Sequence, residues 1–278
     1  MRLVLNSLFT FHLLIFYTVA KPNTDNKTAV ELNRYAIDSH KEFWTLCAES
    51  AGFKTENTKF YQYSISSGAN GLNYVLLEKD FKDDDQVIAK FGPMGFTIFF
   101  DETDIDHIDR YITRFKDAGY FVTQAYDTNN YKPKPLPSNI KVEKVKTLED
   151  FEQWVTVTAS RRKDTTIHGV YAYFRKYGPN NPNSPMVFYI GYLDEKPVGT
   201  SILYKSKDFA SLYWVGVHPD YRRKGLGSAL SFVPTEDAKI LGYRWMAHQA
   251  MPLGVEVYKS LGYKDVGRLK LFFRQYGR

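Results

Sequence analysis

The stretch HPDYRRKGLGSAL, from His218 to Leu230, places three consecutive cations and two glycines in one short segment. The apolar run Leu212–Val217 before it predicts a buried strand, and the residues from about Leu226 to Leu241 predict a helix. A turn that leads into a helix exposes backbone N–H groups, because the first helical turn has no internal acceptors. These donors and the helix dipole favour an anion, and Gly225 and Gly227 would let a phosphate approach the backbone closely.

The three cations of this turn, Arg222, Arg223 and Lys224, would add charge-assisted contacts to the same anion. Together with the glycines and the flanking strand and helix, they indicate a ligand with a pyrophosphate group. The segment lacks the Gly-Lys-Ser/Thr ending of a P-loop. A dinucleotide-binding turn also fits poorly, because its glycines come directly at the strand end and an acid lies on the next strand.

Helix–glycine–aromatic units recur along the chain and predict its fold class. A glycine just past a helix can adopt the left-handed conformation that closes the last turn, and the aromatic residue then enters a strand. The alternation of helices and strands predicts a mixed α/β architecture. The units are Ala51-Gly52-Phe53, Ala118-Gly119-Tyr120, Leu241-Gly242-Tyr243 and Leu261-Gly262-Tyr263.

The segment YKPKPLPSN, residues 131–139, is the predicted linker, because its three prolines cannot continue a helix or a central strand. Residues 28–130 before it predict the order helix, strand, strand, helix, strand. The second of these helices is predicted over 104–118, with a capping box at its start. Residues 140–278 form the predicted second domain, which contains the basic turn.

Composition excludes several classes of protein. The chain has 278 residues, of which 44% are hydrophobic and 16% aromatic, so it can form a real core. A net charge of +6 scattered among 31 acids does not indicate nucleic-acid binding. Cys47 is the single cysteine, so the fold does not depend on an intrachain disulfide. No His/Cys cluster has zinc spacing, and we expect no metal.

Residues 1–20 form a hydrophobic segment that begins with a basic residue and ends with small residues. This layout is typical of a signal peptide, and the length is marginal for a membrane span. The segment therefore predicts export or an N-terminal anchor, and membrane contact is expected only there. Asn26 begins a glycosylation sequon.

The second half resembles the GNAT acyltransferase superfamily. RRKGLG, residues 222–227, is similar to its R/Q-x-x-G-x-G/A signature. The hairpin YLDEKPVGTSILY at 192–204 and the late VYKSLGY at 257–263 resemble two further elements of that family. The first half resembles a degenerate lobe of the tandem members. The resemblance implies a mixed, mostly antiparallel central sheet flanked by helices, in two similar lobes.

The resemblance also implies an activity, the transfer of an acetyl group from acetyl-CoA to an amine. By the family's pattern, the turn would hold the CoA pyrophosphate, and the backbone of the preceding strand would bind the pantetheine arm like an added strand. Gly216 fits there, because a glycine inside a strand often marks a bulge. The implied cofactor-binding residues are Val215, Val217, Arg222, Arg223, Lys224, Gly225, Leu226, Gly227 and Ser228.

Tyr258 occupies the family's general-acid position, where a phenol would protonate the departing CoA thiolate. The sequence does not identify the general base that would deprotonate the acceptor, because no carboxylate lies between Ser211 and Val217. His248, at the end of a predicted strand, and His218 are the candidates, since an unperturbed histidine has a pKa of about 6.5. The predicted catalytic pair is therefore Tyr258 and His248.

Three positions depart from the expected pattern. Met251 stands where many members have Asn, and Gly254 stands where Ala is usual. Pro234 lies inside the predicted helix and should kink or end it. The acceptor is not identified, although its pocket is expected to involve residues 164–174 and side chains of the first half.

Two other functions stay open. The chain could be a non-catalytic CoA-binding or interaction module, which would bind acetyl-CoA without releasing thiol. It could also be a nucleotide-dependent enzyme that uses the turn for a different pyrophosphate. Because acetyl-CoA is mainly intracellular, a cytoplasmic location is favoured, with export or anchoring through residues 1–20 as the alternative.

Overall fold

The structure is a computed structural model that describes residues 27–66, 73–79, 81–161, 167–179, 181 and 183–274, apart from the side chain of Ile105. The predicted signal or anchor at 1–20 and the sequon residue Asn26 lie outside the described residues. Within the described ranges, no helix combines the length and the apolar character needed to cross a membrane.

Helices and strands alternate along the chain, as the recurring helix–glycine–aromatic units predict. The helices are α1 (Ala29–Ser50), α2 (Asp84–Ala89), α3 (Ile105–Tyr111), α4 (Leu148–Arg161), α5 (Ile167–Tyr177), α6 (Leu226–Ile240) and α7 (Val255–Ser260). The strands are β1 (Lys54–Asn57), β2 (Tyr61–Ile65), β3 (Tyr74–Leu77), β4 (Phe96–Asp101), β5 (Lys116–Asp127), β6 (Ile140–Lys144), β7 (Met186–Leu193), β8 (Lys196–Lys205), β9 (Ala210–Val217), β10 (Trp245–Ala250) and β11 (Lys264–Arg274).

All these strands join one sheet in the order β1-β2-β3-β4-β11-β5-β10-β9-β8-β7-β6. Two neighbouring pairs are parallel, β3 with β4 and β9 with β10, and the other pairs are antiparallel. This confirms the predicted mixed, mostly antiparallel sheet.

The two halves exchange their last strands at the centre of the sheet. Strand β5, from the first half, pairs with β10 of the second half, and β11, from the end of the chain, pairs with β4 of the first half. The two exchanged strands also pair with each other. The linker prediction at 131–139 agrees with the irregular backbone of 131–137, but the division into two domains stays a prediction.

Helices cover both faces of the sheet. Ile202 and Leu203 are neighbours on β8, and their side chains point to opposite faces because successive strand residues alternate. Ile202 packs into a cluster with α1, α4 and α5, whereas Leu203 belongs to a second cluster that includes α6. Helices α2 and α3 pack with the first-half strands in a third cluster.

Two glycines set the position of α6 on the sheet. A Cβ atom at Gly199 would lie 2.5 Å from Cδ1 of Leu230, and one at Gly191 would lie 2.9 Å from Cδ1 of Leu226. Real Cβ atoms do not approach so closely, so the helix sits on β7 and β8 at a distance that only glycine permits. The first turn of α6 is therefore held beside the end of β9.

Two local predictions are wrong. The helix predicted over 104–118 ends at Tyr111, and Lys116 already begins β5. Gly119 keeps the predicted left-handed φ of +87°, but it lies in β5 beside a register shift with β11 rather than after a helix. Strand pairing with β11 outweighs the helical periodicity of this segment. The first half also contains two strands and one helix more than predicted among its described residues.

Pro234 does not end its helix. Helix α6 runs from Leu226 to Ile240 with Pro234 in its interior. Proline removes one backbone hydrogen bond, but Pro234 itself is buried between helical turns that pack on the sheet. Tertiary packing of Leu230 and Ala238, both fully buried, keeps the helix continuous.

Candidate functional site

The two parallel strands of the second half separate along their length. Strands β9 and β10 share the register pair Ala210 with Met246, close to the start of each strand. No later pair joins the described residues of these two strands, so their ends diverge. We call the region between the unpaired ends of the two strands, Val217 on β9 and Ala250 on β10, the cleft.

A β-bulge shapes the β9 side of this cleft. Thr200 pairs with Gly216, but Ile202 pairs with Tyr213, so two β9 residues face a single β8 residue. One of the two, Trp214, has a left-handed φ of +55°, which is unusual for a bulky side chain. Bulges of this kind bend the strand and often occur beside functional sites.

Gly216 is required by a contact that the sequence did not indicate. A Cβ atom at this position would lie 1.6 Å from Nη1 of Arg161, so the guanidinium rests directly on the β9 backbone. Nη2 of Arg161 donates a hydrogen bond of 2.6 Å to Oγ1 of Thr200. A positive charge from the end of α4 therefore lies at the bulge.

The basic turn after β9 has the predicted form. Arg223 and Gly225 both have left-handed backbones, with φ of +63° and +86°. Gly225 caps α6 without a side-chain hydrogen bond. The N–H groups of Leu226, Gly227 and Ser228 belong to the first helical turn, whose donors have no acceptor inside a helix. Turns that alternate in this way form concave anion sites.

The side chains around these donors leave the turn open. Arg222, Arg223 and Lys224 are exposed, and Nε of Arg222 donates to the carbonyl of Val217 at 3.2 Å. A Cβ atom at Gly227 would meet its first neighbour only at 3.9 Å, so there is space over the backbone. The predicted phosphate-binding residues thus lie together at one end of the cleft.

Tyr258 and His248 come together on the face of the sheet that α6 and α7 cover. Their ring centroids are 4.0 Å apart, and Tyr263 lies 4.8 Å from the histidine. Burial raises the pKa of Tyr258 to about 12, and the side chain of Ser231 on α6 partly opposes this effect. Tyr258 is therefore protonated at neutral pH.

Gly254 gives the Tyr258 ring its room. A Cβ atom at Gly254 would lie 3.3 Å from Cε2 of Tyr258, which is tighter than most real contacts. The substitution of Gly for the expected Ala is thus compatible with a tyrosine pressed against α7. Met251, at the expected Asn position, is 57% exposed.

The two candidate bases lie in different places. Burial lowers the pKa of His248 to about 3, and among the described residues neither ring nitrogen has a hydrogen-bond partner. His218 instead lies on the turn, where its Nδ1 accepts from the backbone N–H of Asp220 at 3.4 Å. An imidazole with so low a pKa is neutral at pH 7 but is a weak proton acceptor.

The buried histidines predict an acid-sensitive fold. Burial also lowers the pKa of His40 on α1 to about 3. Below pH 6.5 the unfolded chain binds protons at both positions and the folded chain does not, so stability falls as the pH drops from about 6.5 towards 3. We expect each histidine to cost about 2 kcal/mol of unfolding free energy between pH 7 and pH 5.

Urea unfolding of the wild type and of His248→Phe at both pH values measures this effect. The variant should lose less stability on acidification than the wild type, because one of the two titrating groups is gone. Equal pH dependence in both proteins would contradict the assignment of a neutral buried His248.

The predicted acceptor-pocket segment is only partly covered by the described residues. Of the stretch 164–174, only the part from Ile167 is described, and it opens α5, a helix in contact with α1. Across the described residues, no group of three or more His, Cys, Asp or Glu side chains could hold a metal ion.

Known proteins share this fold. Residues 184–265 match the family model described as an acetyltransferase (GNAT) domain. No curated protein matches the chain in sequence. Among solved structures, a GCN5-related N-acetyltransferase from Kribbella flavida is similar, with 12% identity and a TM-score of 0.63; the similarity covers 86% of this chain and 94% of that one.

Two further structures give the same result. A GCN5-related N-acetyltransferase from Sphaerobacter thermophilus has 10% identity and a TM-score of 0.61, over 86% of this chain and 92% of that one. A tandem GNAT protein from the clavulanic acid biosynthesis pathway has 11% identity and a TM-score of 0.54, over 91% and 98%. At these identities the similarity concerns the fold alone. The chain therefore carries a GNAT acetyltransferase domain at residues 184–265, within a two-lobed fold that it shares with GCN5-related N-acetyltransferases.

Proposed function

We propose that this protein transfers the acetyl group of acetyl-CoA to the nitrogen of an amine acceptor. The observation that carries the proposal is the cleft between β9 and β10, which lies beside the first turn of α6 with its unpaired N–H groups. Together, the unpaired end of β9 and the α6 turn would form one groove, with a free strand edge and a set of N–H donors. A thioester carrier with an extended arm and a diphosphate needs both.

The cofactor-binding residues follow from this groove. The N–H groups from Arg223 to Ser228 would hold the diphosphate, supported by the helix dipole and the exposed cations. The backbone of Val215 and Val217 would pair with the amides of the pantetheine arm. The open space over Gly227 and the left-handed Gly225 support this fit.

The proposed reaction is direct attack. The amine nitrogen forms a bond to the thioester carbonyl carbon, and the carbon–sulfur bond breaks. The departing thiolate takes the phenolic proton of Tyr258, while the acceptor nitrogen loses a proton to solvent. That released proton balances the one that later returns to Tyr258.

His248 has a different proposed role from the one expected of it. Its pKa of about 3 makes it a poor base for an ammonium group, since an efficient base has a pKa near the operating pH. We propose that His248 instead orients Tyr258, because the two rings pack at 4.0 Å. His218 stays as a candidate base at the mouth of the turn.

We also propose different roles for the two halves of the chain. The lobe over 140–278 would carry the acetyl-CoA site, and residues 28–130 would form a degenerate lobe joined through the segment 131–139. Helix α1 of the first lobe supports a role in shaping the acceptor side, because it packs on β10 and α5 of the second.

Thiol release tests the proposed function. The full chain is incubated with acetyl-CoA and a panel of amines, polyamines, amino acids and peptides, and free thiol is followed over time. We expect acceptor-dependent release with at least one of these compounds. Acetyl-CoA binding without release on any acceptor would favour the non-catalytic module.

A binding measurement separates the remaining alternative. A ligand at about 100 times its Kd raises the unfolding free energy by about 2.7 kcal/mol. We expect a higher Tm with CoA. A rise with NAD or ATP but none with CoA would favour a nucleotide-dependent enzyme.

A further inference from the structure

Arg161, the last residue of α4, lies on one face of β9 beside the cleft. A Cβ atom at Gly216 would be 1.6 Å from Nη1 of this arginine, so the guanidinium covers the backbone there. Thr200, the β8 partner of Gly216, accepts a hydrogen bond of 2.6 Å from Nη2. The Thr200 hydroxyl also lies 3.3 Å from that of Thr158 on α4. The guanidinium is therefore held in place on the face of the sheet that α4 covers.

Tyr258 lies on the opposite face, in a cluster with residues of α6. In the proposed reaction it gives its proton to the sulfur from that side, so the acceptor nitrogen would approach the carbonyl carbon from the side of α4. Gly216 lies between Val215 and Val217, the two residues proposed to pair with the pantetheine arm. Arg161 thus places a positive charge beside both the arm and the approaching acceptor.

A positive charge at this position discriminates among amines. A simple alkyl amine is an ammonium ion at neutral pH, and a guanidinium repels it. The net charge of +6 on the chain adds to this repulsion at longer range. A carboxylate close to the amine reverses the effect, because the fork of N–H groups on a guanidinium matches the two oxygens of a carboxylate. The site therefore favours an amine that carries its own carboxylate.

We propose that Arg161 determines acceptor specificity by binding the carboxylate of an amino acid, whose amine nitrogen then attacks the thioester. The inference rests on the proposed function and adds the class of acceptor to it. The bonds that form and break are those of the proposed reaction, and Arg161 keeps its protons and its charge throughout. Its part is to bind the acceptor and to orient the nitrogen towards the carbonyl carbon.

Paired acceptors test this inference with the full chain. Each amino acid is compared with its decarboxylated amine at saturating acetyl-CoA, and kcat/KM for the acceptor is measured by thiol release. We expect the wild type to prefer the acid at least about tenfold, since hydrogen bonds between charged groups are the strong ones. Arg161→Gln should lower kcat/KM for the acids about 100-fold, equivalent to about 2.7 kcal/mol, and leave that for the decarboxylated amines close to the wild-type value.

Gly216→Ala displaces the same guanidinium without changing Arg161, because the added methyl group would overlap with Nη1. It should also reduce the preference for acids, and an effect on acetyl-CoA binding cancels in the ratio of the two acceptors. The double variant should lose no more preference than Arg161→Gln alone, since both changes act on one group. Arg175→Gln removes an exposed charge at the end of α5 and should keep the wild-type preference, which controls for long-range electrostatics.

Three kinetic outcomes would overturn the inference while the proposed function stands. They are a wild type that uses decarboxylated amines as well as the acids, an equal loss on both acceptors in Arg161→Gln, or the same loss of preference in Arg175→Gln. Arg161→Lys keeps the charge but not the fork, and it replaces the glutamine variant if that one does not fold; it should lose part of the preference.

A second measurement needs no turnover. Isothermal titration with an N-acetylated amino acid, the product of the reaction, should give tighter binding to the wild type than to Arg161→Gln. Equal affinity in the two proteins would contradict a carboxylate site at Arg161. Absence of thiol release with every acceptor would instead refute the proposed function itself.

Discussion

Replacement of Tyr258 by phenylalanine is expected to lower kcat about 100-fold, because general acid catalysis typically contributes 10²–10⁴-fold. Phenylalanine keeps the ring that packs on His248 at 4.0 Å but removes the proton donor. KM for acetyl-CoA should stay close to the wild-type value, since the proposed diphosphate contacts come from the α6 turn. The measurement is initial-rate thiol release with acetyl-CoA varied at saturating acceptor.

Tyr263→Phe is the control for this experiment. Tyr263 is buried, and its ring centroid lies 5.7 Å from that of Tyr258. Its hydroxyl, however, contacts Thr235 and the sulfur of Met246 rather than the cleft. We expect this variant to lose stability but to keep its kcat. A Tyr258→Phe enzyme that turns over normally would remove Tyr258 from the mechanism.

Replacement of Gly225 by leucine should weaken acetyl-CoA binding roughly 100-fold, equivalent to about 2.7 kcal/mol. Two effects act together. The left-handed φ of +86° is strained for any side chain, so the first turn shifts. The side chain would also cover the N–H groups that the diphosphate needs. Isothermal titration with acetyl-CoA gives the affinity directly.

Gly242→Leu is the control that separates an effect on acetyl-CoA binding from the effect of backbone strain. Gly242 follows the other end of α6, and its φ of +87° matches that of Gly225. Both variants should therefore lose a similar amount of stability, but only Gly225→Leu should lose affinity. Unchanged affinity in Gly225→Leu would exclude the turn as the diphosphate site.

The predictable parts of this molecule are those that depend on short segments. The turn at Asp194 and Glu195, both with positive φ, closes the predicted hairpin between β7 and β8. The left-handed glycines after α1, α6 and α7 lie where the helix–glycine–aromatic units predict them. In each case a few adjacent residues determine the backbone, so pattern and structure agree.

The remaining parts depend on contacts between distant segments. Residues 112–118 have helical spacing, but pairing with β11 brings Lys116 and Asp117 into a central strand. Strand order cannot be obtained from periodicity, since each strand shows only which of its faces is buried. The exchange of β5 and β11 was therefore not predicted.

The candidate site divides in the same way. The turn residues and Tyr258 carry a motif, so the sequence singled them out. Arg161 carries none, and its importance follows only from what it contacts, the β9 backbone at Gly216. His248 was predicted as a base from its residue type, but its burial could not be read from the sequence. Burial is what changes its chemistry.

The central position of β11 has a consequence for biosynthesis. A ribosome releases β4 and β5 well before Lys264–Arg274 emerges, so the facing edges of those two strands wait without a partner. Unpaired strand edges are templates for aggregation. This late segment is thus the strand that joins both halves, and a nascent chain truncated before residue 264 would present two open edges to chaperones.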